Sequence, residues 1–205
     1  MKINTNNWNK LRYTLYTPGY DLLGRIFSTS RKLSISKLNI KPGDKVLIVG
    51  AGTGLDLEFL PSDCEITATD ITPSMIRRLK KRNFLLALNL NASVMDGQQL
   101  VFPDETFDKV ILHLILAVIP DPVACIREAE RVLKQNGQAA IFDKFVPKNK
   151  NISLLRKLLN PFTNLFFSDI TRNFESMIIQ TNLTIETDEN ADFGGKFRII
   201  TVKKI

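Results

Sequence analysis

The sequence predicts an α/β fold in which a doubly wound, mostly parallel sheet carries helices on both faces. Short apolar runs alternate with helical segments between residues 45 and 143, which is the spacing of consecutive strand–helix units. The first apolar run breaks directly into glycines, as a buried parallel strand does where it turns sharply into a helix. Beyond residue 147, two alternating segments predict a pair of antiparallel strands at the end of the chain.

The first 40 residues predict helices that precede the sheet. Trp8, Leu11 and Leu15 fall at helical spacing, and Pro18-Gly19 then breaks the pattern. A second helical pattern runs over residues 20–38, and a turn at residues 41–44 leads into the first strand.

The remaining elements follow in order. Strands are predicted over residues 45–49, 65–70, 92–95, 107–116 and 138–143, and short helices over residues 55–60 and 169–181. Thr72 and Asp121 are predicted N-caps, since each precedes a proline that suits the first helical position. Asn136-Gly137 is predicted to end the helix that begins after Asp121. The antiparallel strands are expected at residues 183–189 and 196–202, around Gly194-Gly195.

Composition limits the functional classes. The chain has 205 residues and an ordinary share of hydrophobic residues (44 %), and no apolar run approaches the ~20 residues that span a bilayer. The N-terminus lacks the apolar core of a signal peptide. Cys64 and Cys125 predict reduced, buried thiols of a cytoplasmic protein, and the single histidine, His113, argues against a multi-histidine metal centre. We therefore expect no metal site.

Basic residues leave two interpretations open. The net charge of +7 permits an anionic partner without requiring one. Five basic residues lie on the helix after Thr72, namely Arg77, Arg78, Lys80, Lys81 and Arg82, and they predict a solvated face rather than a nucleic-acid contact. Residues 151–168 combine Leu and Phe with Lys and Arg, so they either pack under the sheet edge or form an amphipathic helix at an anionic membrane surface.

The glycine loop is the strongest functional signal. Gly50, Gly52 and Gly54 follow the first strand, where positive φ angles and a close approach of ligand to backbone both favour glycine. Asp70 ends the second strand, where a carboxylate can accept hydrogen bonds from ribose hydroxyls. Asp96 ends the third strand at the same edge of the sheet. The pattern predicts a nucleoside-containing ligand.

Four motifs in this order resemble class I S-adenosylmethionine-dependent methyltransferases of the UbiE-like, type 11 group. They are VLIVGAGTG, TATDITPSM, MDGQQLVFPDETFDKVILH and REAERVLKQNGQAAIFD, and they cover about half of the chain. The flanking segments YTLYTPGYDLLGRIF and NPFTNLFFSDITRNF resemble bacterial phospholipid N-methyltransferases. The resemblance implies a Rossmann-like, seven-stranded sheet with an antiparallel last strand, together with an N-terminal helical lid.

The same resemblance implies roles for individual residues. The glycine loop, with Ala51, is expected to hold the methionine part of S-adenosylmethionine, and Asp70 to hold the ribose. Ile71 is expected to pack on the adenine with Met75 nearby, and Asp96 and Gly97 to meet the adenine edge. His113 is expected near the methyl-transfer site as a base or a group that orients the substrate, or else as an ordinary half-buried side chain. The tyrosines Tyr13, Tyr16 and Tyr20 are expected to form the lid over cofactor and substrate.

One position departs from the family pattern. Ile48 stands two residues before the first glycine, where the family commonly has an acid that anchors the methionyl amine. Asp56 and Glu58 are candidates to compensate, although surface charges are the expected interpretation of both. A non-catalytic cofactor-binding protein is one alternative. A nicotinamide-dependent oxidoreductase is another, although its loop is spaced GxGxxG and this chain has GxGxG.

The sequence therefore predicts a methyltransferase that releases S-adenosylhomocysteine. The leading acceptor is a lipid amine such as phosphatidylethanolamine, and the alternative is a soluble quinone precursor or secondary metabolite. Peripheral contact with an anionic membrane is expected, and nucleic acid is not. We expect one domain over residues 1–205, with a lid at 1–40, a cofactor-binding core at 41–146 and a substrate-side segment at 147–205.

Overall fold

The computed structural model describes residues 4–147, 154–192 and 196–205. Within these residues, one sheet has the strand order β3-β2-β1-β4-β5-β7-β6. Its strands are β1 (Lys45–Val49), β2 (Glu65–Asp70), β3 (Leu90–Val94), β4 (Phe107–His113), β5 (Leu133–Lys144), β6 (Leu183–Asn190) and β7 (Phe197–Lys204). The first five strands pair in parallel, and β7 is antiparallel to both of its neighbours. The predicted fold class is confirmed.

Helices cover both faces of the sheet. They are α1 (Asn6–Tyr16), α2 (Tyr20–Gly24), α3 (Ser28–Ser36), α4 (Pro73–Leu86), α5 (Pro122–Val132), α6 (Leu154–Phe166) and α7 (Phe174–Ile178), with 3-10 turns at Arg25–Phe27 and Leu55–Phe59. Alternate residues of β1 face opposite core layers. Leu47 and Val49 pack in the layer that includes residues of α5 and α7, whereas Val46 and Ile48 pack in the layer that includes residues of α3 and α4. Burial on both faces is why the strand reads as a continuous apolar run.

Several predicted boundaries are wrong, and two of them have a clear local reason. Helix α5 ends at Val132 rather than at Asn136-Gly137, because Leu133 already pairs with Phe107 of β4. Strand β4 ends at His113 rather than at residue 116, since the following residue takes φ +57°. Only Phe174–Ile178 of the predicted helix at 169–181 is helical.

Helix α1 is attached to the C-terminal end of α6. Trp8, Arg12 and Tyr16 lie on one face of α1, and each donates a hydrogen bond to a main-chain carbonyl of residues 164–166. The donor–acceptor distances are 2.6 Å for Trp8 Nε1, 3.1 and 3.2 Å for Arg12 Nη1, and 2.8 Å for Tyr16 Oη. The last carbonyls of a helix have no partner within it, so α1 satisfies groups that α6 cannot. No helix in the described ranges is long and apolar enough to cross a bilayer.

Candidate active site

A cavity lies at the carboxyl ends of β1, β2 and β4, where the strand order reverses. This is the usual ligand position in an open α/β sheet. The cavity is lined by Asn6, Asn9, Tyr13 and Tyr20 of the N-terminal helices, by Gly50, Gly52, Asp70, Ile71, Thr72, Met75, Met95, Asp96 and Gly97, and by Leu114, Ile115, Val118, Ile119 and Pro120 after β4. The structure thus brings together nine residues that the sequence analysis singled out.

The glycine loop has the backbone geometry that requires glycine. Gly50 has φ +69° and Gly52 has φ +57°, in the left-handed region that side chains disfavour. A Cβ atom on Gly50 would lie 2.3 Å from Cδ1 of Ile115, and one on Gly52 would lie 3.5 Å from the Tyr20 ring. The loop therefore leaves bare backbone between the sheet and the lid.

Asp70 is held by two backbone amides. Its Oδ2 accepts a hydrogen bond from Gly52 N at 2.9 Å, and its Oδ1 accepts one from Thr72 N at 2.8 Å. Burial raises the pKa of this carboxyl above its usual value, although the two amides offset part of that effect. An ionised carboxylate offers about four lone-pair sites, so two remain for a ligand.

Asp96 contacts helix α1 directly. Its Oδ2 accepts a hydrogen bond from Asn6 Nδ2 at 2.5 Å, and its Oδ1 accepts from the backbone amide and side chain of Gln98. Gly97 beside it is closely packed, since a Cβ there would lie 2.7 Å from Val49 Cγ1. The end of β3 is therefore joined to the start of α1 across the cavity.

Two of the three tyrosines predicted to form the lid line the cavity. The rings of Tyr13 and Tyr20 meet edge to face with centroids 6.2 Å apart, and burial raises the pKa of both hydroxyls. These hydroxyls therefore stay protonated at neutral pH. Tyr16 lies outside, because its hydroxyl donates to the Phe166 carbonyl at 2.8 Å. Ala51 and Gly54 are also absent from the lining.

His113 does not reach the cavity, which corrects the position expected for it. The residue is 3 % exposed, Nδ1 lies 2.8 Å from Asp56 Oδ1, and Nε2 lies 2.9 Å from Ser34 Oγ. Both ring nitrogens are therefore engaged within the protein. Its backbone ends β4 at the site, but its side chain points into a buried polar cluster behind the glycine loop.

Asp56 is the centre of that cluster and is not a surface charge. It is 2 % exposed, and both its oxygens accept from Arg31 Nη1 at 2.8 Å. Burial alone would raise the pKa of Asp56, but the charge of Arg31 and the hydrogen bonds with His113 and Arg31 outweigh it and hold this pKa well below its usual range. Glu58 is exposed and pairs with Arg82, as expected of a surface acid. Neither acid lines the cavity.

The other nine lining residues were not predicted as site residues, and five of them show why. Leu114 and Ile115 follow β4 within the residues predicted as strand, and Val118 lies just beyond them. Leu114 has φ +57°, a costly conformation for a bulky residue, and its amide donates to the Phe142 carbonyl at 2.7 Å. Asn6 and Asn9 precede Tyr13 at helical spacing, and that spacing is the signal that could have found them.

A family model described as a methyltransferase domain matches residues 47–141. Phosphatidylethanolamine N-methyltransferase of Cereibacter sphaeroides is 27 % identical over 166 residues, which are 80 % of each chain. Ubiquinone/menaquinone biosynthesis C-methyltransferase UbiE of Teredinibacter turnerae is 30 % identical over 67 % of this chain, but this chain covers only 59 % of that protein.

Solved structures agree on the fold. A geranyl diphosphate methyltransferase in complex with S-adenosylmethionine superposes with a TM-score of 0.74 at 14 % identity, over 89 % of this chain and 87 % of that one. At that identity the likeness establishes the fold alone. The methyltransferase family model and the methyltransferase relatives indicate that the cofactor of this chain is S-adenosylmethionine. The alternative of a nicotinamide-dependent oxidoreductase is therefore wrong.

Proposed function

We propose that this chain, which is an S-adenosylmethionine-dependent methyltransferase, transfers methyl groups to the amino headgroup of a membrane phospholipid of the phosphatidylethanolamine type. The relative of that name supports the acceptor, since it aligns over 80 % of both chains. The quinone methyltransferases align over little more than half of their own length. They therefore support methyl transfer as the reaction but give weaker support to a quinone as the acceptor.

The observation that carries the proposal is an apolar surface beside the cavity. Helix α6 exposes Leu158 (69 %) and Phe162 (62 %), and α1, which is bonded to its end, exposes Leu11 and Leu15. Soluble proteins rarely expose so many large apolar side chains together without a binding role. Basic residues accompany α6, and the net charge is +7, so an anionic bilayer is a complementary partner. Residues 151–153 of the segment considered earlier lie outside the described residues.

The cavity fits the cofactor by the chemistry of its walls. Gly50 and Gly52 present bare backbone for the methionyl part, and we propose that Asp70 uses its two remaining lone-pair sites for the ribose hydroxyls. Ile71 and Met75 offer apolar contact for the adenine. We propose that Asp96 accepts from the adenine amino group after Asn6 releases it, with Gly97 giving the ring close access to backbone.

The residues of this chain act mainly by positioning. When bound, the cofactor supplies a methyl group on a positively charged sulfur. Tyr13 and Tyr20 cover the cavity and exclude water from it, and Leu114, Ile115 and Val118 form an apolar wall on the acceptor side. Holding a nucleophile in line can supply most of the rate of such a transfer. We assign no catalytic step to His113, because its ring nitrogens are engaged elsewhere.

We also propose the division of the chain that the sequence suggested. Residues 1–40 form the lid, residues 41–146 carry the cofactor site, and residues 147–205 provide the acceptor side and the last two strands. The bonds between α1 and α6 mean that the first and third parts act together.

The acceptor is tested with labelled cofactor and vesicles of defined headgroup. We expect label in the lipid fraction with phosphatidylethanolamine vesicles and none with phosphatidylcholine, whose nitrogen is already fully methylated. A soluble demethylated quinone precursor is assayed in parallel. Transfer to the quinone precursor alone would overturn the lipid proposal and favour the alternative acceptor.

The surface is tested separately by sedimentation with anionic vesicles. Phe162→Ser should reduce vesicle binding several-fold while leaving the affinity for S-adenosylhomocysteine unchanged. Phe84→Ser is the matched control, because Phe84 is 86 % exposed on α4, outside the proposed surface. Equal losses in both variants, or none in either, would exclude this surface as the membrane contact.

A further inference from the structure

The junction of α1 with α6, here called the α1–α6 seam, consists of Asn9 and Arg12 on α1 and Asn164 on α6. Four buried polar atoms of the seam have no hydrogen-bond partner among the described residues, namely Asn9 Oδ1, Arg12 Nε, Arg12 Nη2 and Asn164 Oδ1. Arg12 is 1 % exposed and Asn9 is 4 % exposed. Buried polar groups in native proteins are nearly always paired, so this concentration calls for a partner.

The orphaned atoms are of two kinds. The Arg12 guanidinium donates only through Nη1, to the carbonyls of Asn164 and Leu165. Its Nε and Nη2 groups remain as hydrogen-bond donors of a permanently charged side chain. Asn9 and Asn164 leave acceptors. The amide orientation of Asn9 is fixed, because its Nδ2 donates to Asn4 Oδ1 at 3.0 Å and to the Val118 carbonyl at 3.3 Å.

The seam borders the cavity on the side of Asn9. Asn9 lines it, and the Arg12 guanidinium lies 5.1 Å from the ring centroid of Tyr13, which also lines it. Asn9 and Arg12 are three residues apart on one helix, so their Cβ atoms are about 5–6 Å apart. A donor for an anion and an acceptor for an N–H group thus stand one helical turn apart beside the acceptor wall.

We propose that the α1–α6 seam is the seat of a zwitterionic headgroup, in which Arg12 binds a phosphodiester and Asn9 Oδ1 accepts a hydrogen bond from the amine to be methylated. This rests on the proposed function and adds the residues that select the acceptor. A phosphate and an amine joined by two carbons bridge one helical turn, and an anion gives the buried guanidinium the charged partner that it lacks among the described residues. Asn164 Oδ1 is a second acceptor at the same place.

Arg12 has a simpler possible role, which is to hold α1 on α6 through the two carbonyls. The two roles differ in their dependence on the acceptor. A residue that only holds the helices affects all acceptors equally, whereas a phosphate ligand affects only acceptors that carry phosphate.

The first experiment compares two amines in the same phosphatidylcholine vesicles, phosphatidylethanolamine and a long-chain primary alkylamine without phosphate. Arg12→Gln should lower kcat/KM about 10-fold or more for the phospholipid and change it little for the alkylamine. Arg25→Gln is the control, since Arg25 is an exposed arginine of the N-terminal segment outside the seam. Equal losses for both amines would overturn the proposal and leave Arg12 a structural role.

The second experiment measures binding without turnover. Calorimetry with glycerophosphoethanolamine and the S-adenosylhomocysteine-loaded protein should show binding that Arg12→Gln and Asn9→Ala abolish and that Asn7→Ala, an exposed asparagine on the same helix, retains. Such binding without methyl transfer by the wild type would uphold the seam while refuting the proposed function. Absence of binding by the wild type would overturn the seam, whether or not phosphatidylethanolamine is methylated.

Discussion

A substitution of Asp70 is the most direct test of the proposed cofactor site at the scale of single residues. Asp70→Asn should weaken S-adenosylhomocysteine binding roughly 10- to 100-fold, because an amide offers one acceptor oxygen where the carboxylate offers two charged ones. Burial raises the pKa of Asp70, so removing its charge favours folding, but one of the two backbone amides loses its acceptor in the variant. These effects oppose each other, so the free energy of unfolding should change less than the binding free energy. Calorimetry and denaturant unfolding measure the two effects.

Asp63→Asn is the control for this change, since Asp63 is exposed in the turn before β2 and should leave binding unaltered. Unchanged affinity in Asp70→Asn would remove Asp70 from the cofactor site.

Ile48 is the position at which the chain lacks the acid common in its family. Its side chain is 1 % exposed and packs in the α3 and α4 core layer with Ile76 and Leu79. Ile48→Asp should therefore lower the free energy of unfolding by several kcal/mol, because an unpaired carboxylate would be buried. Ile48→Val, which keeps the site apolar, should cost about 1 kcal/mol. An Asp variant as stable as wild type would contradict this packing and reopen the idea of a missing amine anchor.

At the scale of elements, the buried cluster ties helix α3 to the turn after the glycine loop. Arg31 comes from α3, Asp56 from the turn and His113 from the end of β4, so one carboxylate joins three elements. Because Asp56 follows Gly54 by two residues, the cluster holds the exit of the loop in place.

Asp56→Asn should destabilise the protein by about 3 kcal/mol or more, because it leaves the charge of Arg31 buried without a counter-charge. Glu58→Gln is the matched change in the same turn and should cost under ~1 kcal/mol, since Glu58 pairs with Arg82 near the surface. Urea unfolding of both variants measures the contrast. Similar small costs would mean that the buried pair contributes no more than a surface pair.

Helices α1 and α6 are the second pair of elements with a joint role. Each exposes apolar side chains, and their junction holds the unpaired polar atoms, so the two proposals assign the membrane surface and the acceptor seat to one contact. A phospholipid needs both, because its chains stay in the bilayer while its headgroup reaches the cavity.

At the scale of the whole molecule, two buried carboxyls make stability depend on pH in opposite senses. Burial raises the pKa of Asp143 from 3.8 to about 6, so the stability linked to its neutral form is complete below about pH 4 and is lost as the pH rises through 6. Asp56 has a lowered pKa, so its contribution is present at neutral pH and is lost only in strong acid.

As the pH rises from 4 to 7, the wild type loses stability because the Asp143 carboxyl ionises, whereas Asp143→Asn has no such group. The unfolding free energy of Asp143→Asn should therefore rise by roughly 3 kcal/mol relative to that of the wild type over this range. The variant also alters the hydrogen bonds from the amides of Ala117 and Lys144, which shifts its unfolding free energy by the same amount at every pH and leaves the pH dependence unchanged. Denaturant unfolding across the pH range measures it. Asp63→Asn, at an exposed position, should give a curve of unfolding free energy against pH that is parallel to that of the wild type. A parallel curve for Asp143→Asn would show that this carboxyl does not titrate in that range.

Local signals in the sequence determined the fold and one half of the site. The apolar run Lys45–Val49, the glycines after it and Asp70 define a strand, a sharp turn and a strand end, and each of these depends on neighbouring residues only. Parallel strands end at one edge of a sheet, so the cofactor side of the cavity followed from the order of the motifs.

Only the tertiary structure decided where His113 and Asp56 point and which polar groups go unpaired. A hydrophobic pattern reports that a face is buried and not what covers it, so the pairing of Asp56 with Arg31, 25 residues away, left no local trace. The seam of Asn9, Arg12 and Asn164 likewise exists because α1 reaches α6 across about 150 residues of chain. The acceptor side of the site therefore depends on long-range packing, which periodicity and motifs do not encode.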